Sequence, residues 1–334
     1  MEKRLDLPTP IISYSPSLDS YLSVIATSSR NIRPWLCENF IDIVYKTEPN
    51  VFHCEFLDMM HHVWINTPFL ECSLLDRGLI DVTIQDLSSF LCTLIDNDYY
   101  ILLTVNTFFV SPYSSFQEFP LPHEILIYGY KDTQFICSDY FDFKNRCVDV
   151  EIPFSEIVQG YTQMNRFRDY YKGILISKVS FDVYENQSYF HTDLRQIAIK
   201  MQDFLNDSFV QTHIPGFYHT KYGYRCGFGS FNAFKDYFDD GHSPQILVKP
   251  LHFFEQHILM MKFRFEFIQE EHGLELLIPL RSEIERVYQA IRKVKLRVLY
   301  YVTKHKALPF EVASSFNAIT DAYYQLLVRF VSIL

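Results

Sequence analysis

Three side-chain types that together perform acyl chemistry occur in the order Cys, His, Asp in the first half of this sequence. His123 opens one apolar run and Asp139 closes the next. Two adjacent antiparallel strands can place a carboxylate beside an imidazole, and this contact fixes the tautomer of the ring and orients it as a general base. Cys37 is the upstream side chain that would serve as the nucleophile of such a set.

The context of Cys37 predicts a reactive thiol. It follows Pro34-Trp35, and the apolar spacing after it predicts a helix over residues 37–45. The positive field at the N-terminus of a helix, together with a neighbouring imidazolium, lowers the pKa of a thiol. The alternative is a buried structural cysteine, which most free cysteines are. The other six cysteines lie in apolar runs or turns that suit a nucleophile less well.

A zinc site is the second chemistry that the histidines and cysteines suggest. His53 and Cys54 are adjacent, and His61 and His62 follow them closely. Adjacent residues on a helix or a strand point apart, so the two neighbouring histidines cannot chelate one ion together. We therefore expect no metal site.

The elements that must position these residues form a mixed half of the chain. Between the strand that follows His123 and the strand that ends near Asp139 we predict a turn that includes Gly129-Tyr130 and Lys131-Asp132, and Asp96-Asn97-Asp98 form the turn before the strand at residues 99–109. A helix over residues 83–97 is capped by Thr83 or Asp81. The predicted strands cover residues 99–109, 124–130, 134–138 and 174–183, and residues 51–56 are predicted to form a short strand or a turn.

After about residue 187 the pattern becomes helical. Apolar residues recur at three-to-four spacing. Pro250, Pro279 and Pro309 stand where helices are expected to start, because the backbone N–H that proline lacks would have no partner in the first turn of a helix. The predicted helices cover residues 192–206, 250–272, 278–306 and 309–333. We therefore predict an α+β protein with two domains, residues 1–186 and residues 187–334.

Composition limits the classes of function. A hydrophobic content of 48% in 334 residues supports a real core, and a net charge of −10 argues against broad binding to nucleic acid or to an anionic membrane. Seven cysteines without a CxxC pair argue against a disulfide framework. The sequence shows neither a signal peptide nor about 18 uncharged apolar residues in a row. We expect a cytoplasmic protein.

The placement of Cys37 on a helix, His123 on a strand and Asp139 at a strand end resembles the papain-like cysteine peptidases. The bacteriocin-processing branch is the most similar group. The resemblance implies a papain-like fold for residues 1–186 and a Cys-His-Asp triad. These enzymes place an oxyanion donor, usually Gln, a few residues before the cysteine. No Gln stands there in this sequence, and Asn31 is the amide that could donate instead.

The length and the helical second half resemble the butirosin-type biosynthetic acyltransferases of antibiotic and nonribosomal-peptide pathways. The residues that carry this resemblance are Trp35-Leu36-Cys37, the run 123–130 and Asp139. It implies that an acyl group moves from an acyl or peptidyl carrier protein to Cys37 and then to a small amine, which forms an amide. The phosphopantetheine belongs to the carrier, so no cofactor is expected on this chain.

Two rival functions remain open from the sequence. A cysteine hydrolase (peptidase, amidase or thioesterase) would use the same triad, because transfer and hydrolysis differ only in the exclusion of water. A binding protein would keep the fold without the chemistry. An aromatic segment, residues 217–231, would line a dry channel or pack between the halves. Eight cations within residues 278–306 would bind an acidic carrier or form a solvated helix face.

Overall fold

The computed structural model shows how this chain folds. It describes residues 2–27, 32–57, 67–141, 147–180, 192–208 and 223–334. These ranges form helices and antiparallel sheets, which confirms the predicted α+β class. The chain divides into two compact units: residues 1–30 with 64–187, and residues 31–63 with 188–334.

The first unit is built on an antiparallel sheet. Its strands are β1 (Glu2–Arg4), β4 (Leu70–Asp76), β5 (Tyr100–Asn106), β6 (Pro122–Lys131), β7 (Gln134–Asp139), β8 (Val148–Pro153) and β9 (Gly173–Val179). They follow the order β4-β9-β5-β6-β7-β8, and β1 pairs with the end of β6 that β5 leaves free. This confirms the predicted strands on both sides of residue 131, and β6 and β7 are neighbours as the sequence indicated.

Helices cover both faces of this sheet. They are α1 (Pro16–Ala26), α3 (Arg77–Thr83), α4 (Leu87–Asp96) and α5 (Phe154–Thr162). The apolar sides of α4 and α5 pack on one face in a core that includes Leu91, Ile127 and Ile157, all fully buried. The predicted start of a helix at residue 83 is wrong, because the Asp86 side chain accepts from the backbone N–H of Ser89 and starts α4 there.

The second unit combines a small sheet with long helices. Its elements are α2 (Arg33–Glu38), β2 (Ile43–Glu48), β3 (Val51–Phe56), α6 (Leu194–Leu205), β10 (Arg225–Cys226), α7 (Gly229–Asp239), α8 (Pro244–His272), α9 (Ile278–Thr303) and α10 (Phe310–Ile333). The sheet has the order β10-β2-β3. Residues 51–56, predicted to form a short strand or a turn, form the strand β3.

Two predictions for this unit are wrong. The helix expected over residues 37–45 ends at Glu38, and Val44 and Tyr45 belong to β2, where pairing with β3 overrides their helical spacing. Pro250 does not start a helix but lies inside α8, which begins six residues earlier with Pro244 in its first turn. Tertiary packing over 29 residues outweighs the loss of one backbone hydrogen bond.

The units are not the successive halves 1–186 and 187–334 that the change in composition predicts. Residues 31–63 belong to the second unit, because β2 pairs with β10 from the C-terminal part and β3 lies against α8. A change in composition cannot reveal a strand pair that joins distant parts of the chain.

Among the described residues, no single helix is both long enough and apolar enough to cross a membrane. By length and composition alone one pair passes the test together, α3 with α4, and that pair is bent by 110°.

Candidate active site

His123 and Asp139, the two predicted residues of the sheet, lie in contact. Nε2 of His123 is 2.9 Å from Oδ2 of Asp139. The carboxylate side chain is fully buried, whereas 31% of the imidazole side chain is exposed. The contact has the distance of a hydrogen bond but not its direction, so among the described residues Nε2 has no aligned acceptor. The two side chains form an ion pair when the imidazole is protonated.

Strand register explains why these two side chains meet. Leu126 of β6 pairs with Ser138 of β7, so the next pair in register is Ile125 with Asp139. Side chains of one strand alternate between faces, which places His123 on the same face as Ile125. His123 and Asp139 are thus diagonal neighbours on one face of the sheet.

A β-bulge selects which residue of β6 shares that face. The register shifts between Ile127 and Gly129, so β6 carries one extra residue there. Without this residue the pairing from the hairpin end would set Asp139 opposite Leu126, and Glu124 rather than His123 would share its face. The turn predicted at Gly129-Tyr130 is therefore wrong, because both residues are in β6. The turn predicted at Lys131-Asp132 is confirmed at Asp132, which has a φ of 54°.

Glycine is required at position 129 for a steric reason. β1 pairs directly with this residue. A Cβ atom built there would lie 2.8 Å from the backbone oxygen of Lys3, a distance that real Cβ atoms do not show. The absence of a side chain therefore lets the bulged strand keep β1 as its neighbour.

The Asp139 carboxylate has further donors. The hydroxyl of Tyr113 donates to Oδ2, and the backbone N–H of Tyr140 donates to Oδ1 over 2.6 Å. The hydroxyl of Tyr140 in turn donates to Oδ2 of Asp19, also over 2.6 Å, which anchors the chain just after β7. These bonds hold the carboxylate in one orientation beside the imidazole.

Electrostatics favour the protonated form of His123. Burial lowers the pKa of the ring, but the adjacent Asp139 carboxylate and the nearby Glu124 outweigh burial and raise the pKa above its usual value. Glu124 lies on the opposite face of β6, where the hydroxyl of Tyr171 donates to its Oε2 over 2.8 Å. Such an imidazole can take up a proton and return it within the neutral range.

Cys37 lies in the second unit, in surroundings that differ from the prediction. It is the fifth residue of the six-residue helix α2, so it is not at a helix N-terminus. Its side chain is fully buried. The buried guanidinium of Arg264 donates to the backbone oxygens of Cys37 and Asn39 over 2.6 and 2.5 Å. These are carbonyls of the helix end that α2 itself cannot satisfy.

The thiol of Cys37 is not set apart from the others by its pKa. Burial raises it to about 12, and the charge of Arg264 opposes this only in part. Burial likewise raises the pKa of Cys72 and Cys226 to about 12 and that of Cys92 to about 11. In this conformation Cys37 has the environment of a structural cysteine.

Three further candidates fall wholly or partly outside the described residues. Asn31, the predicted oxyanion donor, lies outside them, as do His61 and His62. Within the described ranges no three His, Cys, Asp or Glu side chains are placed to hold a metal. Residues 217–222 of the aromatic segment also lie outside, while Phe228 and Phe231 are buried and stack at 4.9 Å in the core of the second unit.

Some of the cations on the basic helix, α9, are paired with other side chains of the second unit. Lys295 and Arg292 contact the buried carboxylate of Glu255, the latter over 3.3 Å. Arg281 donates to the side chain of Gln269. The remaining predicted cations are exposed: Arg286, Lys293, Arg297, Lys304 and Lys306.

Tyr113 is the site residue that sequence reasoning missed. It follows Pro112 in a polar turn region and is one of 23 tyrosines in the chain, so nothing in its local sequence marks it. Only the folded course of residues 107–121 brings it to Asp139.

No protein-family model matches the sequence, and neither does any curated protein. The function must therefore be argued from the site.

Proposed function

We propose that this chain is an enzyme of acyl transfer in which His123 is the general base and Asp139 orients it. One observation carries the proposal: a partly exposed imidazole lies 2.9 Å from a fully buried carboxylate that has two other donors. A buried carboxylate held in this way stabilises the imidazolium that forms when the ring accepts a proton. Nδ1 is the ring nitrogen left to face a substrate.

The specific reaction that we propose is amide formation from a carrier-bound thioester. The amine nitrogen attacks the acyl carbon, the C–S bond breaks, and the carrier thiolate leaves. His123 takes the proton from the attacking nitrogen and gives it to the departing sulfur, so the base is regenerated. Support for this choice comes from the resemblance of the sequence to the papain-like acyltransferases.

In the two-step form of this reaction Cys37 carries the acyl group between donor and amine. A thiol with a pKa of about 12 is ionised in only about one molecule in 10⁵ at pH 7, because the two values differ by five pH units. The two-step route therefore requires a conformation in which Cys37 is exposed. The one-step route, in which the amine attacks the thioester directly, requires only the dyad.

The exposed cations of α9 support a carrier protein as the donor. Carrier proteins are acidic and deliver a phosphate-linked arm. Arg286, Lys293 and Arg297 are exposed on one helix of a chain whose net charge is −10. Opposite charge on two surfaces increases the rate at which they associate and selects the partner.

Hydrolysis is a second candidate that one observation favours. The imidazole side chain of His123 is 31% exposed, so water reaches it. The same base would then deprotonate water, and the product would be a free acid in place of an amide.

Incubation of the purified chain with acyl-carrier thioesters and a panel of amines tests these forms by mass spectrometry. We expect an amide product that His123→Gln abolishes. Cys37→Ala should abolish it if the acyl group passes through the thiol, and an adduct on Cys37 should then be seen in the wild type. Cys226→Ala is the matched control, since it removes a buried thiol of similar pKa from the same unit.

Free acid as the sole product would establish the hydrolase. Full activity of Cys37→Ala would remove the thiol from the mechanism and leave the dyad. Full activity of His123→Gln would contradict the proposal itself.

A further inference from the structure

Tyr113 makes two contacts with the dyad. Its hydroxyl donates to Oδ2 of Asp139, the same oxygen that lies 2.9 Å from Nε2 of His123. Its ring meets the imidazole edge to face, with centroids 5.4 Å apart and planes at 70°. One side chain therefore touches both members of the pair, and it also contacts Phe141 at 5.1 Å.

The segment that carries Tyr113 is fastened at several points. Residues 107–121 form a strap whose ends meet where the backbone N–H of Thr107 donates to the oxygen of Leu121 over 2.9 Å. Hydroxyls of Thr107 and Ser115 are hydrogen-bonded at 2.5 Å across the strap. Outside the strap, the carboxylate of Glu156 on α5 accepts from the backbone N–H of Ser111 over 2.8 Å. These hydrogen bonds restrict the strap and hold the Tyr113 hydroxyl in place.

We propose that Tyr113 is a positioning residue of the His123–Asp139 dyad, in which its hydroxyl holds Oδ2 of the carboxylate and its ring edge fixes the plane of the imidazole. The proposal deepens the proposed function and rests on it only for its catalytic consequence. The positioning itself is a property of the folded chain and can be measured without a substrate.

The physical consequence follows from the shared oxygen. A hydroxyl that donates to Oδ2 draws negative charge from it and occupies part of its lone-pair space. The carboxylate then binds the imidazolium less strongly than it could. Two carboxylates act on the charge of His123: Asp139 on β7, which faces it, and Glu124, which lies on the opposite face of β6. Tyr113 is itself uncharged because burial raises its pKa well above the usual value.

Removal of the hydroxyl should therefore leave Oδ2 to His123 alone. In Tyr113→Phe, which keeps the ring and its packing, we expect the pKa of His123 to rise by about 0.5 to 1. The aligned Nε2–Oδ2 hydrogen bond that is missing in the wild type should form, and it should appear as a downfield shift of the Nε2 proton. The pH at which the base becomes active should rise by the same amount.

The experiment is a titration of the His123 ring by nuclear magnetic resonance in the full-length wild type, in Tyr113→Phe and in a control. Tyr161→Phe is the matched control, since Tyr161 is buried in the same core and its hydroxyl has no hydrogen-bond partner among the described residues. It should leave the titration of His123 unchanged.

Two results would overturn the proposal. An unchanged pKa of His123 in Tyr113→Phe would show that the tyrosine only fills space, and an equal shift in Tyr161→Phe would show a general loosening of the core. A shift confined to Tyr113→Phe, in a protein without acyl-transfer activity towards any donor, would support the positioning and count against the proposed function alone.

Discussion

Two histidines, one in each unit, show how the neighbours of an imidazole decide what it can do. His123 contacts the Asp139 carboxylate, keeps part of its ring exposed and has a raised pKa. His257 is fully buried in the second unit, and burial lowers its pKa to about 3. Both rings have a tyrosine as a neighbour. The difference lies in the third group, which is a carboxylate for His123 and a backbone carbonyl for His257.

The hydrogen bonds of His257 fix its tautomer. Nε2 lies 2.9 Å from the backbone oxygen of Ile41, and a carbonyl only accepts, so Nε2 carries the proton. Nδ1 is then the acceptor for the hydroxyl of Tyr323 at 3.1 Å. Both nitrogens are satisfied in the neutral form, which suits a structural residue. His123 keeps part of its side chain exposed and has a charged neighbour, which suits a base.

The largest expected effect is the loss of activity when His123 is replaced. His123→Gln should reduce acyl transfer by about 10²- to 10⁴-fold, the usual contribution of a general base. Thermal unfolding should change little, because the ring is partly exposed. His53→Gln, a change at an exposed histidine of β3, is the control for the assay. Equal activity of the two variants would remove the distinction between His123 and the other histidines.

The second effect concerns stability. His257→Leu leaves the carbonyl of Ile41 and the hydroxyl of Tyr323 buried without partners, and it should lower the free energy of unfolding by about 2 to 4 kcal/mol. Urea unfolding measures this loss. Tyr323→Phe in the same background removes one of the two orphaned groups, so the double variant should lose less than the sum of the single variants. Strict additivity would mean that the two side chains are not coupled.

The third effect is the pH dependence of stability, which should have opposite signs for His257 and His123. The folded pKa of His257 lies below its unfolded value of 6.5, so the unfolded chain binds the extra proton as the pH falls from about 6.5 towards 3. Stability should therefore fall by about 1.4 kcal/mol for each pH unit in that range. His257→Leu should lose this slope. An unchanged slope in that variant would assign acid sensitivity to other groups.

His123 should behave in the opposite way. Its folded pKa is raised, so its contact with Asp139 stabilises the fold fully below the unfolded pKa, and the contribution is lost as the pH rises through the folded value. The difference in stability between wild type and His123→Gln should be below about 1 kcal/mol, because the ring is partly exposed. It should shrink towards pH 9, which urea titrations at two pH values can measure.

The same contrast explains how much could be predicted from the sequence. The apolar runs after His123 and before Asp139 sufficed to predict two antiparallel strands, because such runs reflect a local preference of the chain. The pairing of His123 with Asp139 also depends on the bulge beside Gly129. The apolar run does not show where the bulge lies, and the need for glycine at position 129 comes from β1, more than a hundred residues away.

The assignment of Cys37 shows the opposite situation. Its local sequence, with Pro34 and Trp35 before it, predicted a helix start at the cysteine, but the helix begins at Arg33. Burial sets the pKa of the thiol and the charge of Arg264 opposes it in part, and Arg264 lies 227 residues further along the chain. The local spacing of residues gives no information on such burial. The reactivity of a cysteine is therefore difficult to predict from the sequence.

The last prediction tests the bulge. Gly129→Ala places a methyl group against the backbone of Lys3, and the neighbour must move or β1 must detach. We expect a loss of about 1 to 3 kcal/mol in the free energy of unfolding, which is typical of overpacking. Removal of residues 1–5, which include β1, should abolish most of this additional loss, because the clashing backbone is then absent.

If the register of β6 depends on the bulge as inferred, His123 should keep its raised pKa in Gly129→Ala with β1 detached, since β7 still sets the pairing. A His123 pKa that falls to the usual value would show instead that β1 holds the bulge in place, and the geometry of the dyad would then depend on the first strand of the chain.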